Sequence, residues 1–169
     1  MYAAVLPTIL TYSLIILGFL FWIDLKTRLL PNRFVFQFFI CGIAVHIVTG
    51  FATTTALQML MGMLISAGML LAIRAVGNII YKTDTLGMGD VKLIGAAGIW
   101  LGTSHIFIAI SLGAIAGVLH GLLYAIIHRL KSGEALNFAT LSLPAGPGFI
   151  IGIVTTVIIK FHKEIIALL

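Results

Sequence analysis

Charge is what this sequence has least of. Only 9% of its 169 residues are Asp, Glu, Lys or Arg, against about 25% in a soluble domain, and only five are acids. Cys41 is the single cysteine, which excludes disulfides and thiolate metal sites built within these residues. Low-complexity tracts and 20-to-50-residue repeats are missing, so disordered, fibrous and solenoid classes are excluded. The formal net charge is +5, yet there is no basic helix and no Arg/Lys cluster interleaved with aromatics. Nucleic acid is therefore not expected as a partner.

What is present is apolar: 61% of residues are hydrophobic and the mean hydropathy is +1.21. Residues 1–23, 34–73, 93–128 and 135–159 carry no charged side chain. A membrane-spanning helix needs about 20 residues, so these stretches hold one, two, two and one spans. The expected fold is all-α: one polytopic membrane domain over residues 1–169 with about six transmembrane helices. The expected helices run roughly over 3–22, 34–51, 56–75 and 89–100. The fifth returns to about 127 after a turn at 102–105, and the sixth follows Pro144 and Pro147. The first stretch has no basic leader and is too long for a signal peptide, so it is read as a retained helix.

Position accounts for the charge. With six spans, Lys26, Arg28, Arg33, Arg74, Lys82, Lys92, Arg129 and Lys131 fall on one side, and Lys160 and Lys163 on the other. The first side is then cytoplasmic and both termini lie outside. Small residues at Gly95–Gly98 and Gly113–Gly117 are expected to let helices pack closely. His46 and His120 are read as packing residues within spans, Arg74 as snorkelling to headgroups, and Asp84 as a solvated loop acid, with a substrate or positioning contact left open.

Asp24 closes the first helix and Asp90 opens the fourth, so both belong to the same membrane leaflet although 66 residues separate them. Ionisable groups at the edge of a span are costly and are functional candidates by default. Two adjacent carboxylates that share a proton can activate a water and polarise a peptide carbonyl, the chemistry of an aspartyl protease. Asp90 is preceded by Gly87, Met88 and Gly89, whose missing side chains would let an extended substrate approach. Lys92, two residues on, is expected to point away from Asp90, toward lipid phosphates, with tuning of the acid pair left open.

These residues resemble the type IV prepilin peptidases, membrane aspartyl proteases with a Gly-x-Gly-Asp motif. Asp24 followed by Leu30, Pro31 and Asn32 is similar to the family's first catalytic aspartate and its trailer. Gly87–Leu93 is similar to the second catalytic motif. Leu143, Pro144, Ala145, Gly146 and Pro147 resemble the Pro-Phe-Gly-Pro segment, with Ala145 in place of Phe. The resemblance implies catalysis by Asp24 and Asp90, with Gly87, Gly89, Lys92, Pro31, Asn32, Pro144, Gly146 and Pro147 as motif or substrate-binding positions. It implies cleavage of the basic leader from prepilins or pseudopilins at the cytoplasmic face of the bacterial inner membrane. Many family members add a Cys-x-x-Cys zinc domain and methylate the product. That domain is not found in these residues, so neither methylation, metal nor cofactor is expected.

A further expected partner is anionic lipid, since the basic face would otherwise repel a basic leader. Oligomeric state is not legible. Two alternatives remain: a presenilin- or signal-peptide-peptidase-like intramembrane protease, and a non-enzymatic transporter or assembly subunit. The first of these pairs its motif with Tyr-Asp on the preceding helix, whereas here Trp22 and Ile23 precede Asp24 three helices away.

Overall fold

The computed structural model describes residues 2–132 and 145–162, with side chains over 5–127 and 145–162. Among these residues the chain is all-α, with five helices: α1 (Tyr2–Thr27), α2 (Asn32–Val48), α3 (Ala56–Tyr81), α4 (Met88–Ser132) and α5 (Gly146–Lys160). The expected fourth and fifth helices are one element, α4, interrupted only at Gly102, where φ is 66° and ψ is −176°. That backbone region is open to glycine and strained for any side chain.

At Gly102 the chain doubles back. Gly146, at the start of α5, lies beside Asp90 at the start of α4, and Lys160, at the end of α5, reaches the Trp100 carbonyl just before the break. The first arm of α4, residues 88–101, is therefore parallel to α5. The second arm, residues 103–132, runs the other way: a Cβ on Gly148 would strike Gly113 and Gly117, and one on Gly152, a turn later, would strike Ala109 and Gly113. On the other flank, a Cβ on Gly62 of α3 would overlap the Gly98 carbonyl and the Gly102 backbone. Small residues thus let backbones touch on both sides of α4.

The first arm is the centre of the molecule. From Leu93 to Gly102 every residue is buried, as a helix apolar all round should be. Trp100 stacks on Phe38 at 5.2 Å, meets Phe161 edge-on at 6.4 Å, and donates its indole N–H to the Phe38 carbonyl at 2.9 Å. The carbonyls released by the break at Gly102 are taken up locally. His46 Nε2 lies 3.0 Å from the Ile99 carbonyl, and Lys160 Nζ donates to the Trp100 and Leu101 carbonyls at 2.7 and 3.3 Å. His46 is fully buried and packs as expected, its Nε2 serving as donor because both atoms facing it are carbonyl oxygens.

The exterior is apolar too: Phe19, Trp22, Phe36, Leu57, Ile79 and Ile80 are all more than half exposed. Such a continuous apolar surface suits lipid, not water. Among the described residues, three helical stretches are long and apolar enough to cross a membrane, Val5–Thr27, Ala56–Tyr81 and Met88–Ile127, while α2 and α5 are apolar but shorter.

Several expected boundaries move. Helix α1 continues past Trp22 to Thr27, which puts Asp24 inside its last turn. Helix α2 stops at Val48 because Gly50 and Phe51 both take positive φ. Helix α3 is closed at its start by a reciprocal cap between Thr55 and Gln58 and continues past residue 75 to Tyr81, so Gly77 and Asn78 are helical and the loop is confined to 82–87. Pro144, together with the side chains of Arg129, Lys131 and Lys163, lies outside the described residues.

Candidate active site

Asp24 ends up facing Asp90 because three helix termini converge. In the last turn of α1, the Asp24 carbonyl accepts the Arg28 N–H at 2.8 Å, and Arg28 takes φ of 56°, turning the chain out of the helix. Leu29 and Leu30 follow, and Pro31 caps α2 in an extended conformation, its carbonyl accepting the Phe34 N–H at 3.1 Å. Asp90 occupies the first turn of α4, where its N–H bonds the Gly87 carbonyl at 3.1 Å. Helix α5 begins between them at Gly146 and Pro147, both buried.

Both carboxylates are shielded, Asp24 at 4% and Asp90 at 7% exposure. The key spacer is Gly146. A Cβ there would overlap Asp24 Oδ2 and stand 3.3 Å from Asp90 Oδ1, so the two oxygens flank one point and lie within about 6 Å of each other. Those same two oxygens are buried with no hydrogen-bond partner among the described residues. Buried acceptors are nearly always paired, and an orphaned one calls for an explanation such as a catalytic role or a bound water. The geometry leaves two lone-pair-bearing oxygens aimed at one small gap.

The motif glycines are required by packing. A Cβ on Gly87 would sit 2.9 Å from Asp90 Oδ2, and one on Gly89 would sit 2.8 Å from Leu30 Cβ. Gly89 therefore allows the Leu30–Asn32 segment to lie against the start of α4. Asn32 Oδ1 there accepts from Lys92 Nζ at 2.9 Å. A crevice of about 250 Å³ results, lined by Asp24, Asp90, Gly87, Gly89, Asn32 and Lys92, and also by Arg28, Leu29, Leu30 and Met88.

The structure thus brings together Asp24, Asp90, Gly87, Gly89, Asn32, Lys92 and Gly146. Pro31 and Pro147 start helices at its edge and do not line it. Lys92 departs from expectation: instead of reaching toward lipid phosphates it lines the crevice together with Asp90 and donates to Asn32 at the start of α2. Arg28 was legible only as a topogenic charge, although its place directly after a helix end beside Asp24 was the available signal. Asp84 is not in the crevice; it pairs with Arg74 at 2.6 Å, so Arg74 does not snorkel as expected.

Next to the crevice is an apolar groove of about 730 Å³ between α2, α3 and the first arm of α4. Val35, Phe36, Phe39, Met63, Leu64 and Leu71 wall it, and Ala67, Gly68, Gly95 and Ala96 keep its floor low. Asn32, Met88 and Lys92 line both spaces, so the groove adjoins the crevice. Among the described residues, no three His, Cys, Asp or Glu side chains gather as a metal site would require.

An all-α chain with a lipid-suited exterior and a buried aspartate pair at the meeting of three helix ends defines a class of membrane-embedded acid site. Residues 9–122 match the type IV leader peptidase family, and the chain belongs to it. Two prepilin leader peptidase/N-methyltransferases, from Burkholderia pseudomallei strains 1026b and K96243, are each 28% identical to this chain over 116 residues. The match covers 69% of this chain and 37% of each relative, so the chain spans little more than a third of their length. The family match contains both aspartates but stops before α5, which supplies Gly146. No solved structure matches.

Proposed function

We propose that this protein is a membrane aspartyl endopeptidase that removes the basic leader from type IV prepilins or pseudopilins. The observation that carries the reading is the pair of buried, unpartnered oxygens of Asp24 and Asp90 flanking Gly146. With one carboxylate ionised and the other protonated, the ionised group takes a proton from water as the water oxygen attacks the scissile carbonyl. The protonated group hydrogen-bonds the carbonyl oxygen as it gains charge. The tetrahedral species then collapses: the C–N bond breaks and the leaving nitrogen takes back the proton held by the first carboxylate. Family membership and the relatives' names support prepilins as substrates. The adjacency of crevice and groove supports a substrate whose cleavage site is followed by an apolar segment, with the peptide bond at the aspartates and that segment in the groove.

In this reading α1, α2, α3, the two arms of α4, and α5 make six passes through the bacterial inner membrane, with both termini outside and the crevice at the cytoplasmic face. The short first arm of α4 does not have to match the bilayer, because protein surrounds it. Anionic lipid brings the basic leader to a basic surface. These residues act as a peptidase without N-methylation: their one cysteine cannot build a multi-thiolate zinc site.

The test is coexpression with a prepilin and readout of leader removal by mass. Cleavage by the unaltered protein, and its loss by at least about a hundredfold in Asp24→Ala and in Asp90→Ala with membrane insertion intact, is the expected result. Processing by both variants would identify a non-enzymatic subunit instead. Cleavage of a substrate within its membrane-spanning helix would favour a presenilin-like protease.

A further inference from the structure

The segment that delivers Asp90 is a short polar loop, 82–87, whose own residues are largely exposed. Asp84, for instance, has 77% of its side-chain surface open. Such a loop would ordinarily be free to move, yet it ends in the turn that must hold Asp90 opposite Asp24. The structure shows what restrains it. Arg74, on α3, is the reverse of a solvated surface cation, with only 19% of its side chain exposed. One of its guanidinium nitrogens donates to Asp84 Oδ1 at 2.6 Å and the other donates to the carbonyl of Leu86, the residue immediately before Gly87.

One turn further along α3, Asn78 uses both ends of its amide. Its Nδ2 donates to the same Asp84 oxygen at 3.1 Å, and its Oδ1 accepts the Thr85 N–H at 2.9 Å and the Thr85 hydroxyl at 3.1 Å. Gly77, beside Asn78, makes room: a Cβ there would overlap Thr85 Oγ1. Three successive loop residues, 84, 85 and 86, are thus each tied to the last turns of α3. Two of these ties are to loop backbone, which fixes the path of the chain as well as the position of a side chain.

We propose that Arg74 and Asn78 are positioning residues that clasp the loop and thereby set the Gly87–Asp90 turn, and that Asp84 serves as the anchor they grip. Neither residue lines the crevice that holds the two aspartates. Their effect passes through Leu86 and Gly87 to the Asp90 carboxylate, which Gly87 closely abuts. Arginine suits this place because its planar fork can serve two acceptors at once; lysine brings the charge without the fork.

This inference rests on the peptidase reading for its kinetic consequences, and the experiment separates the two. Leader cleavage in membranes is compared for the unaltered protein, Arg74→Ala, Arg74→Lys, Asn78→Ala and Arg74→Ala/Asp84→Ala. In parallel, a single thiol at Leu86→Cys in a Cys41→Ser background is labelled with a maleimide, with and without Arg74→Ala. Cutting the clasp should lower kcat by about ten- to a hundredfold while KM stays within about twofold, since misplacement of a reacting group costs that much without removing a binding contact.

Arg74→Lys should recover part of the loss. The double variant should be no worse than Arg74→Ala, because both changes break one network. Labelling at position 86 should become faster. Unchanged kcat in both Arg74→Ala and Asn78→Ala, or equal effects on kcat from Arg74→Lys and Arg74→Ala with no change in labelling, would overturn the proposal. If the unaltered protein cleaves no prepilin, the peptidase reading falls, and the labelling rate alone still decides whether the clasp holds the loop.

Discussion

At the scale of single residues the demand is for space as much as for chemistry. Gly146 keeps Asp24 and Asp90 facing across a gap that one methyl group would fill. Gly146→Ala should therefore lower kcat by about a hundredfold, by pushing one carboxylate away, while the helical content seen by circular dichroism stays the same. Unchanged activity in this variant would mean that the gap is not where water is activated. A second expectation concerns protons: an acid pair that works singly protonated gives a bell-shaped dependence of kcat/KM on pH, falling when both groups are charged and when neither is. A profile that rises to a plateau, with one limb only, would point to a single titrating carboxylate.

Much of the residue-scale picture was legible in the sequence. The positions of Asp24 at the end of the first expected helix and Asp90 at the start of the fourth were enough to set them at one end of the bundle, and the glycines before Asp90 marked a close approach. What could not be read were partners set by tertiary contact. Arg74 resembles a snorkelling cation when only its own helix is considered; its partners, Asp84 and the Leu86 carbonyl, are brought to it by a loop whose path no local pattern specifies. Lys92 likewise finds Asn32 because Gly89 admits Leu30, a contact between segments far apart in the chain.

At the scale of elements the central device is the break at Gly102. It lets an apolar 45-residue helix reverse and present two antiparallel arms to α3 and α5. An alanine there would have to hold φ near 66°, and its Cβ would come within 2.8 Å of Thr54 Cγ2. Gly102→Ala should destabilise the protein by about 1–3 kcal/mol, seen as a lower unfolding temperature in detergent. The carbonyls that the break exposes need donors, and Lys160 supplies one for Trp100 and Leu101. Lys160→Met should cost about 1–3 kcal/mol for the buried acceptors it abandons. A stability equal to that of the unaltered protein in either variant would show that the break is not held as described.

The sequence pointed to a turn near residue 102 from glycine and polar residues, but the turn proved to be one residue of unusual backbone rather than a four-residue loop. The ends of α1 and α3 were placed too early because charge and polarity were taken as helix ends. Helical hydrogen bonding continues through Asp24 and Asn78, and caps at Arg28 and Lys82, both in left-handed conformation, stop it a turn later.

At the scale of the whole molecule, the exterior is apolar and the polar groups are gathered inward or to the ends. Asp24, Asp90 and the loop 82–87 lie at one end. His46, Thr54 and Lys160 lie at the other, where Thr54 Oγ1 meets Lys160 Nζ. Apolar run length alone foretold an all-α membrane protein. It could not tell a spanning helix from a central buried one, since both are apolar all round, and for this reason the first arm of α4, expected over 89–100, counts as a span in the sequence despite its shortness. Single cysteines placed at Asn32 and at Thr53, in a Cys41→Ser background, should be reached by membrane-impermeant thiol reagents from opposite sides. Labelling from one side only would contradict the six-pass arrangement.

The central claim is that the two aspartates act as one catalytic unit, and the most direct test is the rate of prepilin cleavage by purified protein carrying Asp24→Asn, Asp90→Asn or both. The account predicts that each single variant loses nearly all activity and that the double variant loses no more, because half of a pair does no chemistry. A single variant that retains cleavage within about tenfold of the unaltered protein, or losses that multiply in the double variant, would contradict it.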